Sequence, residues 1–127
     1  MTALSNYLED KILQHVFMGV PYTAPANIYL GLVTVAATDS SVGTEVTGGS
    51  YARQVVTFDL APGGAGKISN DTLLTYTNMP EADIVGGILM DAVSGGNLLA
   101  HGTVTPFSTV AGENLIVPIG NFNFYLG

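Results

Sequence analysis

Turn-forming residues recur at short intervals along this chain, and their spacing restricts the fold more than any other feature. Glycine pairs stand at 48–49, 63–64, 86–87 and 95–96, and prolines stand at 21 and 25. Between these turn signals lie about seven or eight short extended runs, a pattern typical of antiparallel β proteins. We therefore predict a mainly β fold, an antiparallel β-sandwich of jelly-roll-like type with one N-terminal α-helix.

The only helical period lies between residues 4 and 18. Apolar side chains recur there at every fourth position: Leu4, Leu8, Ile12 and Val16. Thr2 or Ser5 is the candidate N-cap, and Gly19 supplies the stop. With 127 residues and no linker-like stretch, we predict one domain covering 1–127, with an amphipathic helix in 1–20 and the β-sandwich in 21–127.

The apolar stripe of this helix has to pack on something. It covers either the sheet of its own subunit or a neighbouring subunit, and the sequence leaves both alternatives open. In either case we predict that Leu8, Ile12 and Val16 are buried, and we name them as candidate interface residues.

Residues 43–58, GTEVTGGSYARQVVTF, are predicted to form a hairpin that turns at Gly48-Gly49, because glycine adopts positive φ without steric cost. After the turn, alternation directs Ala52, Val56 and Phe58 toward the core. The same alternation directs Tyr51 and Arg53 toward solvent or toward a partner protein.

Arg53 is one of three cationic residues in a chain that has ten acidic residues. In a two-residue turn, Glu45 lies on the opposite face from Arg53, and Arg53 then needs an acid or a carbonyl group from elsewhere. We therefore hypothesise that Arg53, with Tyr51 beside it, anchors an interface with a neighbouring subunit or a capsid protein. A bulge or a longer loop would instead place Glu45 and Arg53 on the same side, as an ordinary surface pair.

The remaining segments are predicted as strands and turns. The predictions are a central strand at Ile28–Val35, a flexible turn at 61–66, a weak strand within Lys67–Asn78, a hairpin formed by Ile84–Ala92 and Asn97–Thr105, and a last strand pair within 115–126. In that last pair the apolar alternation changes phase at Gly120-Asn121, which requires a bulge or a tight turn.

Charge is sparse and mainly negative. The formal net charge is −7, and only 10% of the residues are charged, against about 25% in an average domain. This balance argues against binding nucleic acid through phosphate attraction. A surface with so few charges indicates contact with other protein subunits. The alternative is a stable β protein with a Thr/Ser/Asn surface. No apolar run reaches the length of a membrane span, and we predict no membrane partner.

No catalytic, cofactor or metal motif is present in the sequence. His15 and His101 belong to no metal-binding spacing, and no GxSxG motif supports a serine nucleophile. Cysteine is absent, so thiolate sites are excluded. Glu81 and Asp83 lack the spacing of a calcium loop. We predict that the protein is not an enzyme and has no catalytic residue, cofactor or metal site.

Several segments together resemble a family of small virion proteins of tailed bacteriophages. They are LSNYLEDKILQHVF, IYLGLVT, GTEVTGGSYARQ, GGILMDAVSGGNLLAHGTVT and VAGENLIVPIGNFNFYLG. Members are described as tail-fibre, decoration (cement) or minor structural proteins, so the resemblance implies a virion location and no catalytic residues.

We therefore expect a virion structural protein that binds capsid, neck or tail proteins, most plausibly as a capsid decoration protein or a tail or neck appendage. From the sparse charge and the resemblance we expect a homo-oligomer, with a trimer favoured. The alternative is a β-sandwich module that binds a receptor or a carbohydrate. The absence of Trp argues against this alternative, because sugar sites usually use exposed aromatic side chains.

Overall fold

A computed structural model of the protein describes residues 2–60 and 64–126, so the predicted turn at 61–66 lies partly outside the described residues. The elements in chain order are β1 (Thr2–Leu4), α1 (Asn6–Phe17), β2 (Ile28–Val35), β3 (Thr44–Glu45), β4 (Gln54–Val56), β5 (Phe58–Leu60), β6 (Lys67–Asn70), β7 (Leu74–Tyr76), β8 (Asp83–Met90), β9 (Leu98–Ser108), β10 (Leu115–Val117) and β11 (Asn123–Tyr125). The fold is mainly β, with antiparallel sheets and one helix near the N-terminus, as predicted.

Strand β2 lies inside the largest sheet and has partners along both of its edges. It pairs with β8 along one edge, while β3 and β4 share its other edge, and β9 and β1 extend the sheet beyond β8. Leu30 and Leu32 pack in the main core, whereas Val33 packs with Ile88 in a second cluster. Since successive side chains of a strand point to opposite faces, β2 is a central strand covered on both faces. This prediction is confirmed.

The predicted hairpin of β8 and β9 is also confirmed, and it contains a close approach of two backbones. Gly86 lies opposite Thr103, next to a shift in register. A Cβ atom at Gly86 would collide with the carbonyl oxygen of Gly102. A glycine is therefore needed here because the two strands leave no space for a side chain.

Two smaller sheets pack against the large one. One consists of β7 and β10, and the other of β5, β6 and β11. The main core contains side chains from both sides of this contact, including Leu30 and Leu89 from the large sheet and Leu74, Tyr76 and Phe124 from the small ones. The arrangement is sandwich-like, in agreement with the predicted class.

Helix α1 begins at the predicted cap. Ser5 is the N-cap, and its hydroxyl accepts a hydrogen bond from the backbone N–H of Leu8 at 3.2 Å. The same hydroxyl donates to the carbonyl oxygen of Leu98, which fixes the start of the helix beside β9. The chain leaves the helix at Gly19, whose φ is +70°. The short strand β1 before the helix was not predicted.

The described residues contain eleven strands, more than the seven or eight predicted. One reason is that the weak strand predicted within 67–78 is two strands in different sheets. Buried Asn70 ends the first of them. Its amide donates to the carbonyl oxygens of Thr72 and Pro118, and its carbonyl oxygen accepts from the backbone N–H of Phe122.

The predicted hairpin within 43–58 is wrong. Strands β3 and β4 do not pair with each other, since both pair with the longer strand β2. The segment between them is a wide loop. Gly49 lies at its far end, where Ser50 donates its backbone N–H to the carbonyl oxygen of Asn78 at 2.9 Å. If β3 and β4 were joined by a two-residue turn and paired with each other, they would lose the backbone hydrogen bonds that they form with the edge of β2.

The last two strands form no pair either. β10 pairs with β7, and β11 pairs with β6. The turn predicted between them is confirmed, because Gly120 has a φ of +79° and Asn121 donates its backbone N–H to the carbonyl oxygen of Pro118 at 3.1 Å. The change of phase in the sequence thus marks a crossing from one small sheet to the other.

Candidate functional site

Arg53 lies in the loop between β3 and β4, and its guanidinium joins two distant parts of the chain. Nε donates to Glu45 Oε1 at 3.2 Å and to Oε2 at 2.9 Å, and Nη2 donates to Oε1 at 2.8 Å. Nη1 donates to the carbonyl oxygens of Ala92 and Gly95, both at 2.8 Å. Only 8% of the Arg53 side chain is exposed. These residues together with Tyr51 are called the Arg53 network below.

Tyr51 completes the network from the core side. Its hydroxyl donates to Glu45 Oε2 at 2.7 Å and accepts from the backbone N–H of Leu32 at 2.9 Å. Its ring stacks on Tyr76, with 5.9 Å between the ring centroids. Burial, and then the hydrogen bond to Glu45, raises the pKa of Tyr51 well above the usual value for a phenol. Burial likewise raises the pKa of Tyr76.

The carbonyl groups that Arg53 contacts belong to the turn between β8 and β9. Asp91 closes this turn, since its Oδ1 accepts from the backbone N–H of Asn97 at 2.6 Å and its Oδ2 accepts from the side-chain amide at 2.9 Å. The Arg53 network therefore ties the 46–53 loop to the closed end of the β8–β9 hairpin. Two segments that carry the family resemblance meet at this point.

The predicted orientation of Tyr51 and Arg53 is therefore wrong. Both side chains point into the protein, and Arg53 has an acid of its own chain as its main partner. Ala52 was predicted to face the core, but it is exposed, while Val56 is buried as predicted. The error in these orientations follows from the wrongly predicted hairpin within 43–58. Because 46–53 is a wide loop, Glu45 and Arg53 lie on the same side, and the contacts give no support to the interface role inferred for Tyr51 and Arg53.

The helix residues named as interface candidates lie in three different environments. Leu8 packs against the main core and is partly buried, and Ile12 is also partly buried. Val16, in the last turn, is 63% exposed. No residue of α1 is fully buried. Within the single chain the predicted burial therefore holds only in part, because the helix packs on the core through its first turns and not through its last. The interface role of the three residues stays a prediction.

The last turn of the helix exposes a set of large apolar side chains. Leu13, Val16 and Phe17 have the spacing that brings side chains to one face of a helix. Phe17 is 77% exposed, and Met18 and Val20 directly after the helix are exposed as well. We call these five residues the apolar helix end. Such a patch on a protein surface usually marks a contact with another molecule.

A second apolar surface lies along β9 from Gly102 to Phe107. A cavity of about 480 Å³ opens between the β8–β9 hairpin and the segment 115–125. Its lining includes the exposed side chains of Val104, Phe107, Ile116 and Tyr125, together with Gly87. We call this cavity the apolar trough. Of the described residues that line it, none is charged.

The sequence reasoning missed the apolar trough. One signal for it was present in the sequence, because the glycine pair Gly86-Gly87 lies within a predicted strand, and both glycines line the trough. The other wall could not be located from the sequence, since it depends on the pairing of β10 with β7 rather than with its neighbours in the chain.

The histidines and acids noted in the sequence lie apart. His101 Nε2 contacts Asp39 Oδ1 at 2.9 Å, and His15 Nδ1 contacts the carbonyl oxygen of Val20 at 3.2 Å. Asp83 accepts from the hydroxyl of Ser108 at 2.6 Å. Within 2–60 and 64–126, no group of three or more His, Asp or Glu residues is placed to hold a metal ion. Nor does any helix in these ranges have the length and apolar character needed to cross a membrane.

Comparison with protein families gives a match over most of the chain. The family model described as "Podophage GP4 fiber I protein gp80" matches residues 3–124. No curated protein matches the chain. The matched range includes α1, the Arg53 network, the β8–β9 hairpin and both small sheets except Tyr125, the last residue of β11.

Proposed function

This chain belongs to the family described as Podophage GP4 fiber I protein gp80, and from that premise we propose that it is a non-enzymatic subunit of a tail or neck appendage. The coarser role follows from the family itself, which makes the protein a structural component of a bacteriophage virion. The appendage is the finer proposal, and the word "fiber" in the family description supports it over a decoration protein of the capsid shell.

The observation that carries the proposal is the pair of uncharged apolar surfaces on a strongly acidic chain. The apolar helix end and the apolar trough are both open to solvent in the single chain. An isolated soluble protein gains nothing from such surfaces, because exposed apolar area favours association. Contacts with other virion proteins would cover them, and these contacts are the activity we propose.

We further propose that the subunit forms a homo-oligomer, with a trimer as the favoured state. Two separate contact surfaces on each copy allow every subunit to touch two neighbours, which is what a closed ring requires. The Arg53 network has a different part in this proposal. It holds the 46–53 loop and the β8–β9 turn in place within each subunit.

A cryo-EM map of the intact particle tests the location. Density for this fold in a tail or neck appendage is the expected result, and density on the capsid shell would instead support a decoration protein. Light scattering of the purified protein tests the oligomer. A protein that stays monomeric at high concentration and is absent from purified virions would contradict the proposal as a whole.

A further inference from the structure

We propose that neighbouring copies exchange their N-terminal arms, so that the arm of one copy packs against β9 of the next. The N-terminal arm is defined here as residues 2–17, which contain β1 and α1. The inference rests on the proposed homo-oligomer and names the contact that would build it. The surface that receives the exchanged arm is the part of β9 that the same arm covers within one chain.

The arm is attached through its first residues. Strand β1 pairs with β9 along its whole length, with Leu4 opposite Ala100. Ser5 donates its backbone N–H to the carbonyl oxygen of Leu99 at 2.9 Å, and its hydroxyl donates to that of Leu98. These bonds define both the position and the direction of the arm on β9.

The second half of the arm has no such attachment. No residue of α1 is fully buried, and Leu13, Val16 and Phe17 are each more than half exposed. The helix is therefore fixed to β9 at its start and projects into solvent at its end, where a neighbouring copy can lie.

The connection between the arm and the rest of the chain is weakly held. Ten residues, 18–27, join α1 to β2 without forming a helix or a strand, and none of them is buried. In the described part of the chain, no hydrogen bond ties 21–26 to another segment. The connection can therefore take a second path at small cost, because few contacts hold the present one.

Gly19 is the residue at which the path would change. Its φ of +70° turns the chain back after the helix, and the backbone N–H of Val20 donates to the carbonyl oxygen of Gln14 at 3.0 Å. Glycine leaves this conformation for an extended one without steric cost. The two prolines that follow, Pro21 and Pro25, favour extended backbone at the residues before them. Fully extended, the ten residues 18–27 span up to about 33 Å, more than the roughly 18 Å length of the 12-residue helix.

The C-terminal strand provides a contrast. β11 is also a short strand at a sheet edge near an end of the chain, but the segment before it is tied to the core. Gly120 donates its backbone N–H to the carbonyl oxygen of Asn70 at 2.9 Å, and Phe122 donates its backbone N–H to Asn70 Oδ1 at 2.8 Å. Redirecting β11 would break these bonds, whereas redirecting the N-terminal arm breaks none of its bonds to β9 that a second copy cannot restore.

The chemistry of the vacated surface selects an identical arm as its occupant. Without the arm, Leu99 and Ala100 would face water, and the carbonyl groups that Ser5 contacts would lose their donors. The arm of a second copy restores all of these contacts, so the exchange costs only the change in the connection. It also avoids new contacts between charged surfaces, which two copies with a net charge of −7 each would oppose.

Exchange also suits a closed ring. Each copy donates one arm and accepts one, so every subunit contacts two neighbours, as a trimer requires. The connection then runs from one copy to the next, and the apolar helix end lies at this crossing. Burial of its side chains there would favour the exchanged form over the closed one.

Disulfide mapping tests the exchange, because the chain contains no cysteine of its own. Ala3 and His101 lie opposite each other on β1 and β9. Opposed residues of an antiparallel pair have Cα atoms about 4.5–5.5 Å apart, which is within the reach of a disulfide. After oxidation, the Ala3→Cys/His101→Cys double variant should give covalent oligomers on a non-reducing gel, whereas a closed chain gives a covalent monomer.

The two single variants, refolded together and oxidised, give the matched experiment. Ala3→Cys mixed with His101→Cys should yield a mixed disulfide dimer. Ala3→Cys mixed with Ile119→Cys should yield none, since Ile119 is exposed and does not pair with β1.

The hinge gives a second readout. Gly19 and Gly120 have φ values of +70° and +79°, and a Cβ atom at either position would meet nothing within 4 Å. Gly19→Ala strains only the closed path, so it should strengthen self-association by roughly five- to thirtyfold for each chain. Gly120→Ala carries the same strain in a turn that the exchange does not alter, and it should leave self-association unchanged. Equal effects of the two variants would overturn the inference.

The outcomes separate the inference from the proposed function. An oligomeric wild-type protein whose double-cysteine variant forms only disulfides within one chain would overturn the inference and leave the homo-oligomer standing. A monomeric wild-type protein that is present in virions would overturn both the exchange and the homo-oligomer but not the virion role. A monomer that is absent from virions would contradict the proposed function as well.

Discussion

Replacing Arg53 with alanine is expected to destabilise the isolated subunit by about 3 kcal/mol. The change removes five hydrogen bonds, but their loss is not uniform. The carbonyl oxygens of Ala92 and Gly95 belong to a turn at the surface, where water can replace the guanidinium. Glu45 keeps only Tyr51 as a partner, and its side chain is 21% exposed. Most of the cost therefore comes from a poorly solvated carboxylate left without a cation.

The estimate comes from the range for breaking a buried ion pair, roughly 3–5 kcal/mol, and is placed at its lower end because Glu45 is partly exposed and retains the Tyr51 hydrogen bond. For a chain of this length the total free energy of unfolding is about 6–19 kcal/mol, so the loss is large. Urea unfolding followed by circular dichroism measures it, at a protein concentration low enough to suppress association.

Three control variants separate the causes. Arg53→Lys keeps the charge but loses the planar fork, and we expect a loss of about 1–2 kcal/mol. Lys11→Ala removes a cation that lies over the ring of Tyr7, and it should cost below about 1 kcal/mol. Adding Glu45→Gln to Arg53→Ala should recover part of the stability, because no unpaired carboxylate remains. An Arg53→Ala loss no larger than that of Lys11→Ala would refute this reasoning.

Three more predictions concern the ionisation of two buried tyrosines, the close approach of β8 and β9, and the repulsion between acidic copies. The free energy of unfolding should fall as the pH rises above about 10, because the pKa values of Tyr51 and Tyr76 are raised in the folded protein and only the unfolded chain then loses these protons. Thermal unfolding between pH 8 and 11 measures this loss, and a flat profile would contradict the prediction. Gly86→Ala should cost about 1–3 kcal/mol of folding stability by forcing β8 away from β9. Gly87→Ala should cost much less in the same urea assay, because its new Cβ would lie 3.3 Å from the flexible end of Leu30, at Cδ1. Equal losses for the two variants would argue against the close approach of the backbones. Self-association should strengthen as ionic strength rises from about 0.01 to 0.15 M, because salt screens the repulsion between acidic copies; analytical ultracentrifugation measures this, and weaker association at the higher salt would indicate a contact made by ion pairs.

Some parts of the fold follow from local sequence alone. The bounds of β2, Ile28–Val35, were predicted because its apolar residues fall on both faces, which suits a central strand. The N-cap of α1 and its end near Gly19 follow from capping chemistry that acts within a few residues. The β8–β9 hairpin is signalled by glycines at its turn. For the helix ends and the hairpin turn the decisive contacts lie close together in the chain, whereas β2 is recognised by the apolar residues on both of its faces.

Other parts depend on contacts between distant segments. Strands β3 and β4 could pair with each other or with β2, and the sequence of 43–58 does not decide between these two pairings. The wrong choice there reversed the predicted direction of Arg53. The burial of Val16 likewise depends on how far the sheet extends beneath the helix. The single domain and the trimer stay predictions.

The distribution of charge connects the stability of the subunit with its assembly. The chain has three cationic side chains, and Arg53 is used inside the protein, where its geometry fixes a loop and a turn. Lys11 and Lys67 each lie over a tyrosine ring of the same chain. With so few cations available, ion pairs between copies would be scarce, and a net charge of −7 would oppose any close contact between charged surfaces. In the proposed homo-oligomer, association would therefore come from burying apolar area, and the apolar helix end and the apolar trough are exposed apolar surfaces available for it.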